Sequence, residues 1–158
     1  MSIKFCYDIE KTCAVSGHRV LPKNFDTDNL YYLFETAIKN GYKYFLCGMA
    51  LGFDTLCFQT LEKLRQIYDI KIIACIPCLM QHSRFNKNQK AEYERMIKSC
   101  DDMIVLQDNY DEFCMKKRND YMVKNSSLLI CYITRSSGGT YYTVKLAVEK
   151  NKKVIYVK

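Results

Sequence analysis

Gly48-Met49-Ala50-Leu51-Gly52-Phe53-Asp54 follows the apolar run Tyr44-Phe45-Leu46-Cys47 and leads into a segment where Phe53, Leu56, Cys57, Leu61, Leu64 and Tyr68 recur at helical spacing. A buried strand, a glycine turn and an amphipathic helix in that order place backbone N–H groups at a helix N-terminus, where an anion is most readily held. A second glycine turn, Ser136-Ser137-Gly138-Gly139-Thr140, follows another apolar run, Ser127 to Ile133, and opens another helical pattern with Tyr141, Val144 and Val148 inward. Two such units in one chain predict an α/β domain with a ligand site built on glycine turns.

The remaining segments extend the same alternation. Thr12-Cys13-Ala14-Val15-Ser16 reads as the first strand and stops at Gly17-His18-Arg19; Asp26 or Thr27 caps a helix with Leu30, Leu33, Phe34, Ala37 and Ile38 on one stripe, closed by Asn40-Gly41. Lys71 to Ile76 is a third strand ended by Pro77, and Met103 to Leu106 a fourth. Tyr93, Met96, Ile97 and Cys100 mark the helix between them, Cys114 to Lys124 a further helix, and Lys153 to Val157 a last strand. The strands are short continuous apolar runs, not polar–apolar alternations, and helices separate them. That is the pattern of a mostly parallel sheet covered on both faces, a Rossmann-like three-layer sandwich spanning residues 1–158 as one domain. Residues 1–11 carry no clear pattern and are expected to be an added edge strand or a frayed end.

Composition narrows the class. The chain has 158 residues, 49% hydrophobic, with a net charge of +7. That suits one globular domain with a substantial core. No apolar run approaches a membrane span, and the N-terminus lacks the features of a secretory signal, so a cytoplasmic protein with no membrane partner is expected. Nine cysteines without a secretory signal argue for reduced thiols. Cys13, Cys47, Cys75 and Cys131 lie in strand-like runs as small hydrophobes, and the lone Cys75-Ile76-Pro77-Cys78 spacing is weak evidence for zinc. Neither a metal nor a cofactor is called for. The positive charge is scattered and supports an anionic ligand only weakly.

In a parallel sheet, ligands bind beyond the C-terminal ends of the strands. The unusual residues fall on that edge. They are Gly17, His18 and Arg19; Gly48, Met49, Gly52 and Asp54; Met115, Arg118 and Asn119; and Ser137, Gly138, Gly139 and Thr140. Each also has a plainer reading: the glycines 48 and 52 as packing positions, Asp54 as a first-turn acid complementing the helix dipole, Arg118 paired with Asp111 or Glu112, and Thr140 as a cap. The turn after the first strand has a single glycine, so the dinucleotide fingerprint is absent; neither a G-x-x-x-x-G-K-[ST] loop nor a G-x-S-x-G elbow occurs.

Ser16-Gly17-His18-Arg19, Gly48 to Asp54, Ile76-Pro77-Cys78, Cys114-Met115-Lys116-Lys117-Arg118-Asn119 and Ser137-Gly138-Gly139-Thr140 occur in the order seen in the SLOG superfamily, which takes its name from the Smf/DprA and LOG proteins. Over residues 12–158 the chain resembles this group, and within it the small stand-alone bacterial and phage branch. The resemblance implies a Rossmann-like fold, a pocket for a nucleotide or nucleotide-derived ligand, and a homo-oligomer. LOG enzymes cleave the N-glycosidic bond of nucleoside monophosphates, using a Met-x-x-Arg motif, matched by Met115 to Arg118, and a glutamate after the glycine loop. Here Tyr141-Tyr142-Thr143-Val144 follow Thr140 and no acid appears before Glu149. Glycosidic cleavage ordinarily uses a nearby carboxylate, which turns the expectation toward binding without strong catalysis. A sensor or a sponge sequestering a cyclic or ADP-ribose-type signal fits that reading. The alternatives are a phosphoribohydrolase, with Asp54 or Glu112 substituting, and a DprA-like binder of single-stranded nucleic acid, for which thirteen tyrosines supply stacking surfaces.

Overall fold

The computed structural model describes residues 4–158. Among the described residues six strands form one sheet: β1 (Thr12–Gly17), β2 (Tyr44–Cys47), β3 (Lys71–Ile76), β4 (Asp102–Val105), β5 (Leu128–Tyr132) and β6 (Lys153–Tyr156). Five helices connect them: α1 (Thr27–Lys39), α2 (Phe53–Arg65), α3 (Lys87–Ser99), α4 (Cys114–Lys124) and α5 (Gly139–Glu149). The strand order is β4-β3-β2-β1-β5-β6 and every pairing is parallel. The chain therefore builds outward from β1 to β4, returns to the other side of β1, and adds β5 and β6. Right-handed crossovers put the helices of the two halves on opposite faces.

The core divides accordingly. α1, α2 and α3 bury Leu30, Phe34, Phe53, Phe58, Leu61, Leu64, Tyr93 and Met96 against Cys13, Phe45, Cys47 and Ile72 of the sheet. α4 and α5 bury Met122, Val123, Val144 and Ala147 against Ala14, Leu46, Ile73 and Cys131. Adjacent strand residues thus point to opposite cores, which is why the strands read as continuous apolar runs. Cys13, Cys47, Cys75 and Cys131 are all fully buried core residues. Burial pushes the Cys75 and Cys131 thiols up to about 12, as expected of small hydrophobes that stay protonated.

Local signals set where the helices begin and end. The Asp26 carboxylate accepts from Asn29 N–H at 2.9 Å to start α1. Asn86 and Gln89 form a reciprocal capping box at α3, at 2.8 and 2.9 Å. α2 ends at Arg65, short of Tyr68, whose N–H still donates to the Leu64 carbonyl at 2.8 Å and whose hydroxyl donates to Glu35 of α1 at 2.9 Å.

The amino-terminal segment departs from the expectation of an added edge strand or a frayed end. Its residues 4–8 are irregular, a short 3-10 turn covers Ile9–Lys11, and residues 1–3 lie outside the described residues. Two helices cannot cover the second face of six strands. Phe5 and Tyr7 fill the gap, edge-on to Tyr121 (6.2 Å between ring centres) and tilted on Tyr44 (4.7 Å). The Tyr7 hydroxyl donates to Asp102 Oδ2 at 2.6 Å, an acceptor that holds its phenol up at about 12.

Candidate functional site at the switch point

β1 and β5 are neighbours, yet the chain leaves β1 toward the α1 face and leaves β5 toward the α5 face. A crevice opens where the two loops part, the position at which open α/β sheets bind ligands. It encloses about 470 Å³. That lies within the ~300–1,000 Å³ of small-molecule sites.

His18 holds the two loops in place. Its backbone carbonyl accepts from Phe53 N–H at 3.0 Å, joining the β1 loop to the start of α2. Its Nε2 accepts from Thr134 N–H at 2.9 Å, joining the same loop to the one after β5. The imidazole is therefore neutral with its proton on Nδ1. Burial, then the nearby Arg135 charge, pull its pKa below the ordinary value. The neutral form is the folded form, so this tie is present above the ordinary histidine range and is lost as pH falls through the lowered value.

The Gly48–Asp54 turn is shaped by close approaches. Gly52 has φ 75°, and a methyl there would overlap the Arg19 carbonyl. Gly48 lies between two buried groups: a methyl there would sit 2.7 Å from Arg118 Nη1 and 3.0 Å from Asp54 Oδ2. The Gly48 carbonyl accepts from Arg118 Nη1 and, at 2.9 Å, from Gln81 Nε2. Arg118 Nε donates to Asn119 Oδ1 at 2.7 Å, and its Nη2 rests on Met115 Sδ at 3.8 Å, so Met115 and Asn119 set the guanidinium's orientation.

Asp54 is 6% exposed and lines the cleft. Oδ2 accepts from Ala50 N–H at 3.2 Å, while Oδ1 has no hydrogen-bond partner. Burial raises the carboxyl to about 6 against the opposing pull of Arg118, the Ala50 N–H and Arg19. Burial likewise lowers the Arg118 guanidinium below its usual value, with Asp54 acting against it. A carboxyl raised on folding contributes its stability fully below about 4 and loses it as pH rises through about 6. We expect the stability of the wild type relative to Asp54→Asn to fall by roughly 2.5 kcal/mol between pH 4 and pH 7.5. Urea unfolding of both proteins at a series of pH values measures this difference, and a flat difference would remove the argument for a strained carboxylate.

The start of α5 is the open end of the cleft. Gly138 (φ 92°) is its N-cap, no side chain caps it, and neither Gly138 nor Gly139 has an atom near where a Cβ would stand. Ser137, Gly139, Thr140 and Arg135 face the cleft from this side, and Arg19 from the other. The N-terminal N–H groups, the helix dipole and two exposed guanidinium groups make this the anion-favouring end.

Most residues singled out in the sequence meet here: Gly17, His18, Arg19, Gly48, Asp54, Met115, Arg118, Asn119, Ser137, Gly139 and Thr140 line the cleft. Three do not. Met49, at φ 64°, is 1% exposed and turns into the core; Gly52 is absorbed by its approach to the β1 loop; Gly138 only caps α5. Two roles also change. The turn N–H groups expected to hold a phosphate at α2 are partly spent, Phe53 on His18 and Ala50 on Asp54. Arg118 does not pair with Asp111 or Glu112; it turns inward to the Gly48 carbonyl, while Asp111 accepts from Phe113 N–H at 2.9 Å before α4. Arg135 was not among the expected residues. Its signal is its place just past β5, ahead of the serine–glycine turn.

These features define a Rossmann-like α/β domain with a polar switch-point cleft floored by a buried carboxylate and guanidinium. Residues 27–157 match the family model described as the YspA SLOG family, and the chain belongs to that family within the SLOG superfamily. The Ser16–Arg19 loop precedes the matched range. The chain is 31% identical over 127 residues to the uncharacterized SPbeta prophage-derived protein YoqJ of Bacillus subtilis strain 168, covering 72% of this chain and 74% of that one. Among solved structures it resembles DNA processing protein A (DprA) from Streptococcus pneumoniae, with TM-score 0.69 and 18% identity over 93% of this chain. The Helicobacter pylori DprA, described for its single-stranded DNA binding mode, matches with TM-score 0.67 and 18% identity over 92%. The chain spans 50% and 64% of those two proteins, and at such identity the likeness is one of fold. No helix among the described residues is long and apolar enough to cross a membrane.

Proposed function

We propose that this protein binds a nucleotide or nucleotide-derived ligand in the switch-point cleft, with a phosphate at the start of α5 between Arg19 and Arg135 and the nucleoside reaching toward Asp54. The observation that carries this reading is Asp54 Oδ1, a buried carboxylate oxygen in the cleft wall without a donor. Such a group costs stability unless something completes it. A ribose hydroxyl or a base N–H supplies the missing donor. Arg118 acts from beneath, fixing the Gly48 turn and adding positive potential, while the exposed Arg19 and Arg135 make the charge-assisted bonds.

Equilibrium binding to a panel of nucleoside monophosphates, NAD, ADP-ribose and cyclic nucleotides, with recovery and chemical analysis of the bound and free fractions, tests this. Arg135→Ala and Arg19→Ala are each expected to weaken binding by about tenfold or more without changing thermal stability. Unchanged affinity in both would sink the site. Recovery of the ligand intact would support a sensor or sponge.

A second reading draws on the same carboxylate. Asp54 is the one acidic side chain lining the cleft among the described residues. Glu149 lies at the far end of α5, roughly 15 Å along the helix from its start. In N-glycosidic hydrolysis water adds its oxygen to C1′, the C1′–N bond breaks with its electron pair on the base, and the base nitrogen takes up the released proton. Asp54 would stabilise the oxocarbenium-like charge. Free base accumulating with wild-type protein and not with Asp54→Asn would establish it. Strand binding of the kind described for DprA is separated by length: affinity rising with oligonucleotide length and falling steeply with salt would favour it.

A further inference from the structure

We infer that the cleft has a second chamber that takes the base of a second nucleoside, so that the ligand is a dinucleoside joined through phosphate; this rests on the nucleotide reading of the first chamber. A pocket of about 410 Å³ adjoins the first and shares Arg19, Ala50 and Met115 with it. Its character differs. Leu51, Met80, Phe85 and Tyr110 line it together with Gln81, Ser83 and Arg84, and apolar surface predominates there, where polar surface predominates in the first chamber.

Two observations mark it as a built surface. Met80 and Tyr110 are 63% and 71% exposed, large apolar groups left in water at the same sheet edge as the cleft. Exposed apolar surface gathered in one place marks binding. The loops that carry them are also braced. Residues 78–85 are held by successive turn bonds from Gln81, Ser83 and Phe85 N–H groups to the Cys78, Met80 and His82 carbonyls. Gln81 is clamped at both ends, donating to the Gly48 carbonyl at 2.9 Å and accepting from the Tyr93 hydroxyl at 3.1 Å. His82 stacks on Tyr93 at 4.2 Å between ring centres. Leu79 N–H donates to the Asp108 carbonyl at 3.2 Å, tying this loop to the one that presents Tyr110. The loops that carry these side chains are thus preformed, which lowers the entropic cost of binding there.

The shared residues point to a ligand that spans both chambers. Arg19 borders both chambers, so a phosphate bridge lies against it when the first nucleoside reaches Asp54 and the second base stacks on Tyr110 and Phe85. A mononucleotide leaves the second chamber empty.

The test uses matched probes: AMP, GMP, CMP and UMP, each beside its symmetric dinucleoside diphosphate, titrated calorimetrically into the full chain. For the base that binds, the dinucleoside should bind at least about tenfold more tightly, the effect of stacking one base. Met80→Ala with Tyr110→Ala, both on the surface, should remove that advantage, leave the mononucleotide affinity unchanged and leave thermal unfolding unchanged. Equal affinity for mononucleotide and dinucleoside overturns the second chamber and leaves the first standing. An advantage that survives the double variant also overturns it, as does affinity that keeps rising into long single-stranded oligodeoxynucleotides. No binding by any probe overturns both readings.

Discussion

Arg118→Met should lower the unfolding free energy by about 3–5 kcal/mol at pH 8 and abolish ligand binding, because it leaves the Asp54 carboxylate buried without the positive charge that offsets it and the Gly48 carbonyl without its arginine donor. The guanidinium is the donor to the Gly48 carbonyl and the main positive charge offsetting the burial of Asp54. Without it the Asp54 carboxyl rises further above about 6. The residue can escape by protonating, so the loss should be smaller at pH 5 than at pH 8. Adding Asp54→Leu to Arg118→Met should recover much of the lost stability without restoring binding, because an apolar pair no longer carries an unpaired charge. Urea unfolding of the two single variants and the double variant at both pH values measures the coupling. A cost below about 1 kcal/mol at pH 8 would show that the guanidinium is not committed to the cleft floor.

Gly52→Ala should be nearly as damaging, by about 3 kcal/mol or more, for a backbone reason. The residue holds φ 75°, where an L side chain is strained, and its Cβ would overlap the Arg19 carbonyl. Relief would move the β1 loop away from α2 and break the bond from Phe53 N–H to the His18 carbonyl. Strain alone accounts for about 1–3 kcal/mol; the displaced backbone adds the rest. Gly41→Ala supplies the comparison. It has φ 101° with open space around it, so only the strain should appear. Equal costs for the two variants in thermal or urea unfolding would remove the role of the close approach.

Much of this fold was legible because each strand faces two cores. Ile72 and Ile73, or Leu128 and Leu129, are adjacent and all buried, so the runs stand out from the amphipathic helices between them. The edge where ligands bind follows from that alternation alone, and the glycine turns mark it. What sequence could not show is where side chains turn once the loops meet. Arg118 lies 70 residues from the Gly48 carbonyl it bonds. Its neighbours Asp111 and Glu112 suggested a local pair instead. Met49 stands inside a glycine motif, yet it has a positive φ and is buried in the core. Phe5 and Tyr7 show no periodicity because they answer to a gap in helix coverage on the second face, a property of the finished sheet.

The central claim, a phosphate-bearing ligand seated between the start of α5 and the β1 loop, is tested most directly by amide chemical shifts. A chain of 18.6 kDa is within easy reach of such spectra. Titrating nitrogen-15-labelled protein with the tightest binding nucleotide of the panel should shift the amides of Ser137, Gly139, Thr140, His18 and Arg19 together, along one saturation curve, and Arg135→Ala should move that curve to higher ligand concentration. Shifts confined to the opposite edge of the sheet, near Lys71 and Lys153 at the starts of β3 and β6, would contradict it.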